Sequence, residues 1–229
     1  MNIAMAGIDH RRASLQLRER FAFTKAEAAE ALSRLAEHPA LEGAVLLSTC
    51  NRTELWLSCA EGATLDPAAL LGALKGADPA DISFVVRRGR AAVDHLFALA
   101  CGLRSRVFGE DQIIAQVKGA LALARSCGSA DGVLDRLFLS AVTAAKEVKT
   151  SVRLTAVDSS SASRAADLIC RHFADLKGLP CLVIGNGEMG RNAAGALTLS
   201  QKSPPVCSKW ILAKYNYYIL KQNNCQITA

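Results

Sequence analysis

The sequence contains no hydrophobic run that approaches the ~18 residues of a membrane-spanning helix. Its first residues, MNIAMAGIDHRR, include neither an early basic segment nor the apolar core of a secretory signal. We therefore expect a cytoplasmic protein. The 229 residues are 51% hydrophobic and 21% charged, which is enough apolar material for one large domain or two small ones.

The closely paired cysteines of metal-binding proteins are also missing. No two of the 8 cysteines have the C-x2-4-C spacing of structural zinc sites, so we predict no metal. Without an export signal, a disulfide framework is not expected either. Most of these thiols are therefore interpreted as small buried hydrophobic groups.

The net positive charge is small outside the C-terminal part. The formal net charge is +6, but four lysines and no acidic residue follow Leu197. Basic character thus belongs mainly to the end of the chain, and it gives little support for RNA binding.

The first 90 residues show a β-α-β-β-α-β order, which predicts a ferredoxin-like α/β domain. A helix capped by Thr24, with Glu27 three residues later, and a helix started by Asp66 and Pro67 separate the strands. The predicted strands are residues 2–7, 44–47, 53–59 and 82–88. In the third strand, Leu55, Leu57 and Cys59 alternate onto one face.

Helical periodicity follows residue 90, and we divide the chain into three parts. Residues 1–155 form a first domain, which the family resemblance given below identifies as catalytic, and residues 156–197 form a linker helix and the start of a Rossmann-type nucleotide-binding domain. The predicted helices are residues 91–102, 111–126, 131–152 and one from the DSSSAS turn to about residue 176. Residues 198–229 contain all three tyrosines and two consecutive prolines, and we expect this tail to be non-homologous and mostly disordered.

A single cysteine stands between two strand-like runs in the segment LLSTCNRTELWLS. Cys50 ends a strand and enters a turn, where reactive groups are commonly presented. Arg52 would favour its thiolate, or would instead bind a carboxylate with its guanidinium. A packing cysteine at a strand end explains the same pattern, so the residues alone leave both interpretations open.

Other polar residues have a functional and a structural interpretation. His95 is able to assist thiol chemistry as an acid or base, but a lone histidine is more often a surface or core residue. Glu110, Asp111 and Gln112 follow Gly109 at a predicted helix start, where acidic residues complement the helix dipole without any further role.

The segment VIGNGEMG carries a G-x-G-x-x-G motif at Gly185, Gly187 and Gly190. It follows an apolar run and precedes a helical pattern, which is the context of a pyrophosphate bound at a helix N-terminus. No acidic residue follows Glu188, so the ribose-binding acid of the fingerprint is missing. A basic residue for NADP cannot be assigned, because no second strand is recognisable.

Four segments together resemble the glutamyl-tRNA reductase family. They are GIDHRRASLQLRERFAF, LLSTCNRTELWLS, DHLFALACGLRSRVFGEDQIIAQVKGAL and VIGNGEMG, in the order of that family. The resemblance covers residues 1–197. It implies reduction of glutamyl-tRNA to glutamate-1-semialdehyde with NADPH, through a cysteine thioester, in the first step of tetrapyrrole biosynthesis.

The resemblance also implies residue roles. Cys50 matches the nucleophile, His95 a histidine near it, and Thr49, Asn51 and Arg52 the residues that hold the glutamyl group. Further substrate-site matches are Ser105, Glu110, Asp111, Gln112 and Gln116. The NADPH phosphate turn matches Gly185, Asn186, Gly187, Glu188, Met189 and Gly190. Expected partners are glutamyl-tRNA and the aminomutase that uses the semialdehyde.

Some features depart from the family pattern. Cys101 replaces a usual serine, Arg106 an apolar residue and Asp111 a common proline. The resemblance implies a homodimer, and we expect the dimerisation region and most of the nucleotide domain to be missing from this sequence. Three hypotheses for the function stay open. The chain is a reductase, a protein that forms the thioester and loses it to water, or a fragment that only binds tRNA or a partner.

Overall fold

The computed structural model describes residues 2–152, except Thr64, Val107 and Asp111, and then residues 161–172, 183 and 188–200. The chain divides into two compact units, Met1–Ala156 and Val157–Ala229. None of the helices in the described part combines the length and the apolar character that a membrane crossing requires.

Four strands form one antiparallel sheet in the first unit, in the order β2-β3-β1-β4. Their bounds are Ile3–Asp9 for β1, Leu41–Thr49 for β2, Arg52–Cys59 for β3 and Val85–Arg88 for β4. Each helical connection skips one strand position, which is the split β-α-β arrangement. The predicted ferredoxin-like fold is therefore confirmed.

Six helices accompany this sheet, and α1 is an addition to the predicted order. Their bounds are Leu15–Phe21 for α1, Lys25–Ala36 for α2, Pro67–Leu74 for α3, Arg90–Ala100 for α4, Gln112–Ser126 for α5 and Gly132–Ser151 for α6. Local capping explains where they start. The Thr24 hydroxyl accepts the Glu27 N–H at 3.3 Å and the Glu27 carboxylate accepts the Thr24 N–H at 2.7 Å, which confirms the capping box.

The predicted fourth strand is too long at its start. Residues 82–84 are not paired with β1, because a 3₁₀ turn at Pro79–Asp81 continues into them. The Ile82 N–H donates to the Pro79 carbonyl at 3.3 Å and the Phe84 N–H to the Ile82 carbonyl at 2.8 Å. Pairing with β1 thus begins only at Val85.

Every residue of the central strand β3 is buried, not only its predicted apolar face. On the predicted face, the Thr53 hydroxyl donates to the Phe21 carbonyl at the end of α1. On the other face, Trp56 meets the Phe138 ring of α6 edge-on, with centroids 5.6 Å apart. Helices therefore cover both faces of the sheet, and β3 lies in the middle of the core.

The second unit contains two described helices, α7 at Ser161–His172 and α8 at Glu188–Ser200, which pack against each other. The helix predicted to reach residue 176 is described only to His172. The predicted strand before the glycine motif, apart from residue 183, lies outside the described residues, as do Gly185, Asn186, Gly187 and residues 201–229 of the predicted tail. The first three residues of that tail, 198–200, belong to α8. The Rossmann start stays a prediction.

Candidate active site

Cys50 and Asn51 form the two-residue turn that joins β2 to β3. The Thr49 hydroxyl accepts the backbone N–H groups of Asn51 and Arg52, each at 3.2 Å, which fixes the turn from inside. The His10 N–H donates to the Asn51 carbonyl at 2.9 Å, so the β1–β3 ladder extends to the turn. Cys50 is exposed at the end of this braced hairpin.

Arg52 points into the protein and is only 2% exposed. Its Nη1 donates to Glu54 Oε1 at 2.8 Å, and its Nη2 donates to the Arg104 carbonyl. The guanidinium therefore ties the hairpin to the loop after α4 and has its charge compensated by Glu54. Neither role suggested by the sequence, support of the Cys50 thiolate or binding of a substrate carboxylate, is visible in these contacts, and both stay predictions.

Glu54 is buried, and both oxygens of its carboxylate have hydrogen-bond partners within the protein. Oε1 accepts from Arg52 and lies 2.9 Å from His95 Nε2, while Oε2 accepts the Trp56 Nε1–H at 3.3 Å. Burial alone would raise the pKa of Glu54, but the hydrogen bonds and charges of His95 and Arg52 outweigh it and hold the pKa below its ordinary value. We therefore treat Glu54 as ionised at neutral pH.

His95 reaches Glu54 from α4 and is 6% exposed. Its ring stacks on Trp56, with centroids 6.0 Å apart and planes at 24°. An ionised carboxylate only accepts hydrogen bonds, so Nε2 is the nitrogen that donates to Glu54, and in the neutral form of the ring Nδ1 is the unprotonated nitrogen. His95 Nδ1 is buried and has no hydrogen-bond partner among the described residues.

Residues 102–109 form a loop that lies against this network through Arg104. The Gly109 N–H donates to the Gly102 carbonyl at 3.1 Å and closes the loop. Gly102 has φ +79°, and a Cβ there would stand 3.0 Å from the Glu110 nitrogen, so the closure requires glycine. Ser105 is half-buried in this loop.

Lys149 of α6 fixes the far side of the loop. Its Nζ donates to the carbonyls of Gly109, at 3.3 Å, and Glu110, at 3.0 Å. Burial raises the pKa of the Glu110 carboxyl, and the Lys149 charge only partly opposes this. Gln112 opens α5, as the sequence predicts for this segment, and Asp111 lies outside the described residues.

Gln116 lines a groove of about 500 Å³ between α2, the edge of β2 and α5. Phe23, Ser48 and Leu123 line the same groove.

The structure thus brings Thr49, Cys50, Asn51 and Arg52 into one hairpin and links His95 and Ser105 to it. Glu188, Met189 and Gly190 open α8 in the second unit.

Sequence reasoning missed three residues of this site. The sequence pattern places Glu54 and Trp56 only in a strand, although a carboxylate inside an apolar strand indicates a buried charge that needs a partner. His10 was given no role, yet its backbone pairs with the turn and its Nδ1 is buried without a partner among the described residues. Burial lowers the pKa of His10, although Asp9 opposes this effect.

The fold and site define a ferredoxin-like domain that presents one cysteine on a turn above a buried Arg–Glu–His network. The sequence matches the family described as "Glutamyl-tRNAGlu reductase, N-terminal domain" over residues 6–152. The chain belongs to the glutamyl-tRNA reductase family, and the resemblance seen in the sequence is confirmed.

Named relatives agree with this membership. The chain is 43% identical over 199 residues to the glutamyl-tRNA reductase of Acetivibrio thermocellus, covering 86% of this chain and 59% of that protein. For the enzyme of Alkaliphilus oremlandii, identity is 41% over 193 residues, with 83% and 58% covered. The solved glutamyl-tRNA reductase of Methanopyrus kandleri superposes with a TM-score of 0.63 at 34% identity, covering 87% of this chain and 47% of that one. The chain thus spans less than two thirds of each of these relatives.

Proposed function

We propose that this chain carries the acyl-transfer site of a glutamyl-tRNA reductase, the enzyme of the first step of tetrapyrrole biosynthesis. The observation that supports it best is the exposed Cys50 on a braced two-residue turn, within the part of the chain that matches the family. The turn is held from both sides by hydrogen bonds, so the sulfur has a defined position for attack.

The proposed reaction begins when the Cys50 thiolate attacks the ester carbonyl that links glutamate to the terminal ribose of tRNA. A carbon–sulfur bond forms, the carbon–oxygen bond to the ribose breaks, and the ribose oxygen leaves with a proton. Thr49, Asn51 and Arg52, which hold the turn and the adjoining loop, are also proposed to hold the glutamyl group. The other residues proposed to border that group are Ser105, Glu110, Asp111, Gln112 and Gln116. His95, with Nδ1 unprotonated, is the proposed group for moving the proton.

The glycine-rich segment is proposed to hold NADPH. Helix α8 begins at Glu188, within the motif, as expected of a turn that opens a helix toward a phosphate. Residues 185–190 would hold the pyrophosphate. Bound NADPH would supply the hydride that releases the acyl group as glutamate-1-semialdehyde. The homodimer, the aminomutase partner and the cytoplasmic location stay predictions.

The test uses the chain with tRNA charged with labelled glutamate. We expect an acid-stable, hydroxylamine-sensitive adduct on Cys50, and semialdehyde when NADPH is added. Cys50→Ser should abolish the adduct, because a hydroxyl is a much weaker nucleophile than a thiolate at neutral pH. The matched control is Cys127→Ser, at a partly exposed thiol of the same unit, which should leave the adduct unchanged.

The products of this assay distinguish the functional hypotheses drawn from the sequence. Semialdehyde formation supports the reductase, and release of free glutamate without semialdehyde supports thioester formation followed by hydrolysis. Correctly folded protein that yields no labelled Cys50 would contradict the proposal.

A further inference from the structure

We propose that Trp56 is a positioning residue of this site, because its indole N–H fixes the rotation of the Glu54 carboxylate that holds Arg52 and His95. The inference rests on the proposed function for its catalytic consequence. Its structural part, the control of the His95 ring, stands on the contacts alone.

One oxygen of the Glu54 carboxylate has two hydrogen-bond partners. Oε1 alone contacts both the Arg52 Nη1, at 2.8 Å, and the His95 Nε2, at 2.9 Å. This double contact requires one rotation of the carboxylate about its last side-chain bond, and that torsion is broad for glutamate. The Trp56 Nε1–H, 3.3 Å from Oε2, is the one hydrogen-bond donor to that second oxygen in the described part of the chain.

Packing fixes the indole that makes this contact. Trp56 is 0% exposed and lies between the His95 ring, stacked on one side, and the Phe138 ring, which meets it edge-on. The same side chain therefore orients His95 twice, through ring stacking and through Glu54. The indole N–H does not titrate, so any pH dependence of this contact comes from the Glu54 carboxylate.

The consequence concerns the tautomer of His95. With Oε1 in place, the proton is on Nε2 and Nδ1 stays available as a base. The charged and titratable groups that face Glu54 are Arg52 from its own strand and His95 from α4. The residues opposite Glu54 on the two neighbouring strands, Gly7 and Leu47, carry no charge.

The first test replaces the donor and keeps an aromatic ring, with Trp56→Phe. We expect thioester formation on Cys50 to slow by about tenfold, as for loss of one hydrogen bond to a charged group. The acid limb of its pH profile should move to higher pH, because a carboxylate that loses a donor is protonated more easily. Nitrogen-15 NMR of the His95 ring should change from one tautomer to a mixture.

The matched control is Phe138→Leu, which removes the edge-on contact with Trp56 but leaves the N–H in place. It should lower stability without moving the pH profile or the His95 tautomer. If Trp56→Phe does not fold, 3-benzothienylalanine at position 56 replaces the N–H by sulfur within nearly the same shape and should give the same changes.

An unchanged tautomer and pH profile in folded Trp56→Phe or in the benzothienyl protein would overturn the proposal and leave Trp56 as packing only. The proposed function has a separate failure, the absence of a Cys50 adduct in the unsubstituted chain. In that case the His95 tautomer still decides whether Trp56 positions the network.

Discussion

The turn of the β2–β3 hairpin, Cys50 and Asn51, differs from the stem that follows it, Arg52 and Glu54, in its exposure and in the contacts that hold it. Cys50 is exposed, whereas Arg52 and Glu54, two and four residues later, are each 2% exposed. The turn is held by backbone hydrogen bonds, and the stem by a buried ion pair with His95. We infer that the turn presents the reacting atom and that the stem keeps the turn in place, so substitutions should separate chemistry from stability.

The largest effect on stability is expected in the stem. Glu54→Gln leaves the Arg52 guanidinium without its counter-charge and should lower the free energy of unfolding by about 3–5 kcal/mol. Cys50→Ser at the exposed turn should change it by less than about 0.5 kcal/mol. Urea unfolding of both variants measures the difference, and similar values for the two would contradict the division into turn and stem.

The pH dependence of unfolding sharpens this comparison. The folded-state pKa of Glu54 lies below its ordinary value of 4.5, so its ionised form stabilises the protein above pH 4.5. That contribution is lost as the pH falls through the folded-state pKa. The gap in stability between the unsubstituted chain and Glu54→Gln should therefore be full at neutral pH and narrow below pH 4.5. A constant gap would mean that folding does not shift the pKa of Glu54, and a gap that narrows as the pH rises would mean that its folded-state pKa is raised.

A smaller loss is expected on the strand that faces Glu54. A Cβ on Gly7 would stand 2.5 Å from the Thr53 carbonyl oxygen and 2.8 Å from Glu54 Cγ. Gly7→Ala should therefore lower the free energy of unfolding by about 1–3 kcal/mol through overpacking. Gly119→Ala on α5 is the control, because its Cβ would meet nothing within 4 Å. Helix propensity makes that change neutral or slightly stabilising, and equal losses at both glycines would argue against the close packing around Glu54.

The smallest change in stability is expected at the turn itself. Thr49→Val removes the oxygen that accepts two backbone N–H groups and should cost about 1 kcal/mol. Thioester formation should fall more than stability does, because the turn loses its defined shape while the stem remains. Thr49→Ser keeps the hydroxyl and should behave like the unsubstituted chain. A Thr49→Val protein with full adduct formation would show that the turn does not need this brace.

Much of this fold can be predicted from local patterns in the sequence. The capping box at Thr24, the Asp66–Pro67 helix start and the alternation of Leu55 and Leu57 each reflect interactions within a few residues. The exposed cysteine turn follows from two apolar runs separated by polar residues. Its assignment as reactive came from the family resemblance, because spacing alone left a packing cysteine equally open.

The buried network could not be predicted in the same way. Glu54 and His95 are 41 residues apart, and their contact depends on how α4 packs across the sheet. An alternating strand with Arg52 and Glu54 on one face predicts a solvated face, whereas tertiary packing buries both. The shortened fourth strand has a similar cause, since the turn at Pro79–Asp81 extends into residues that are apolar enough for a strand.

The exposure of Cys50 also makes it an earlier target for oxidants than the buried Cys59 and Cys101. Cys59 and Cys101 are buried, and burial raises the pKa of both thiols. Peroxide should therefore convert Cys50 to its sulfenic acid before it reaches those two. The sulfur proposed for acyl transfer is thus also an expected point of redox inactivation, and the proposed activity would depend on reducing surroundings.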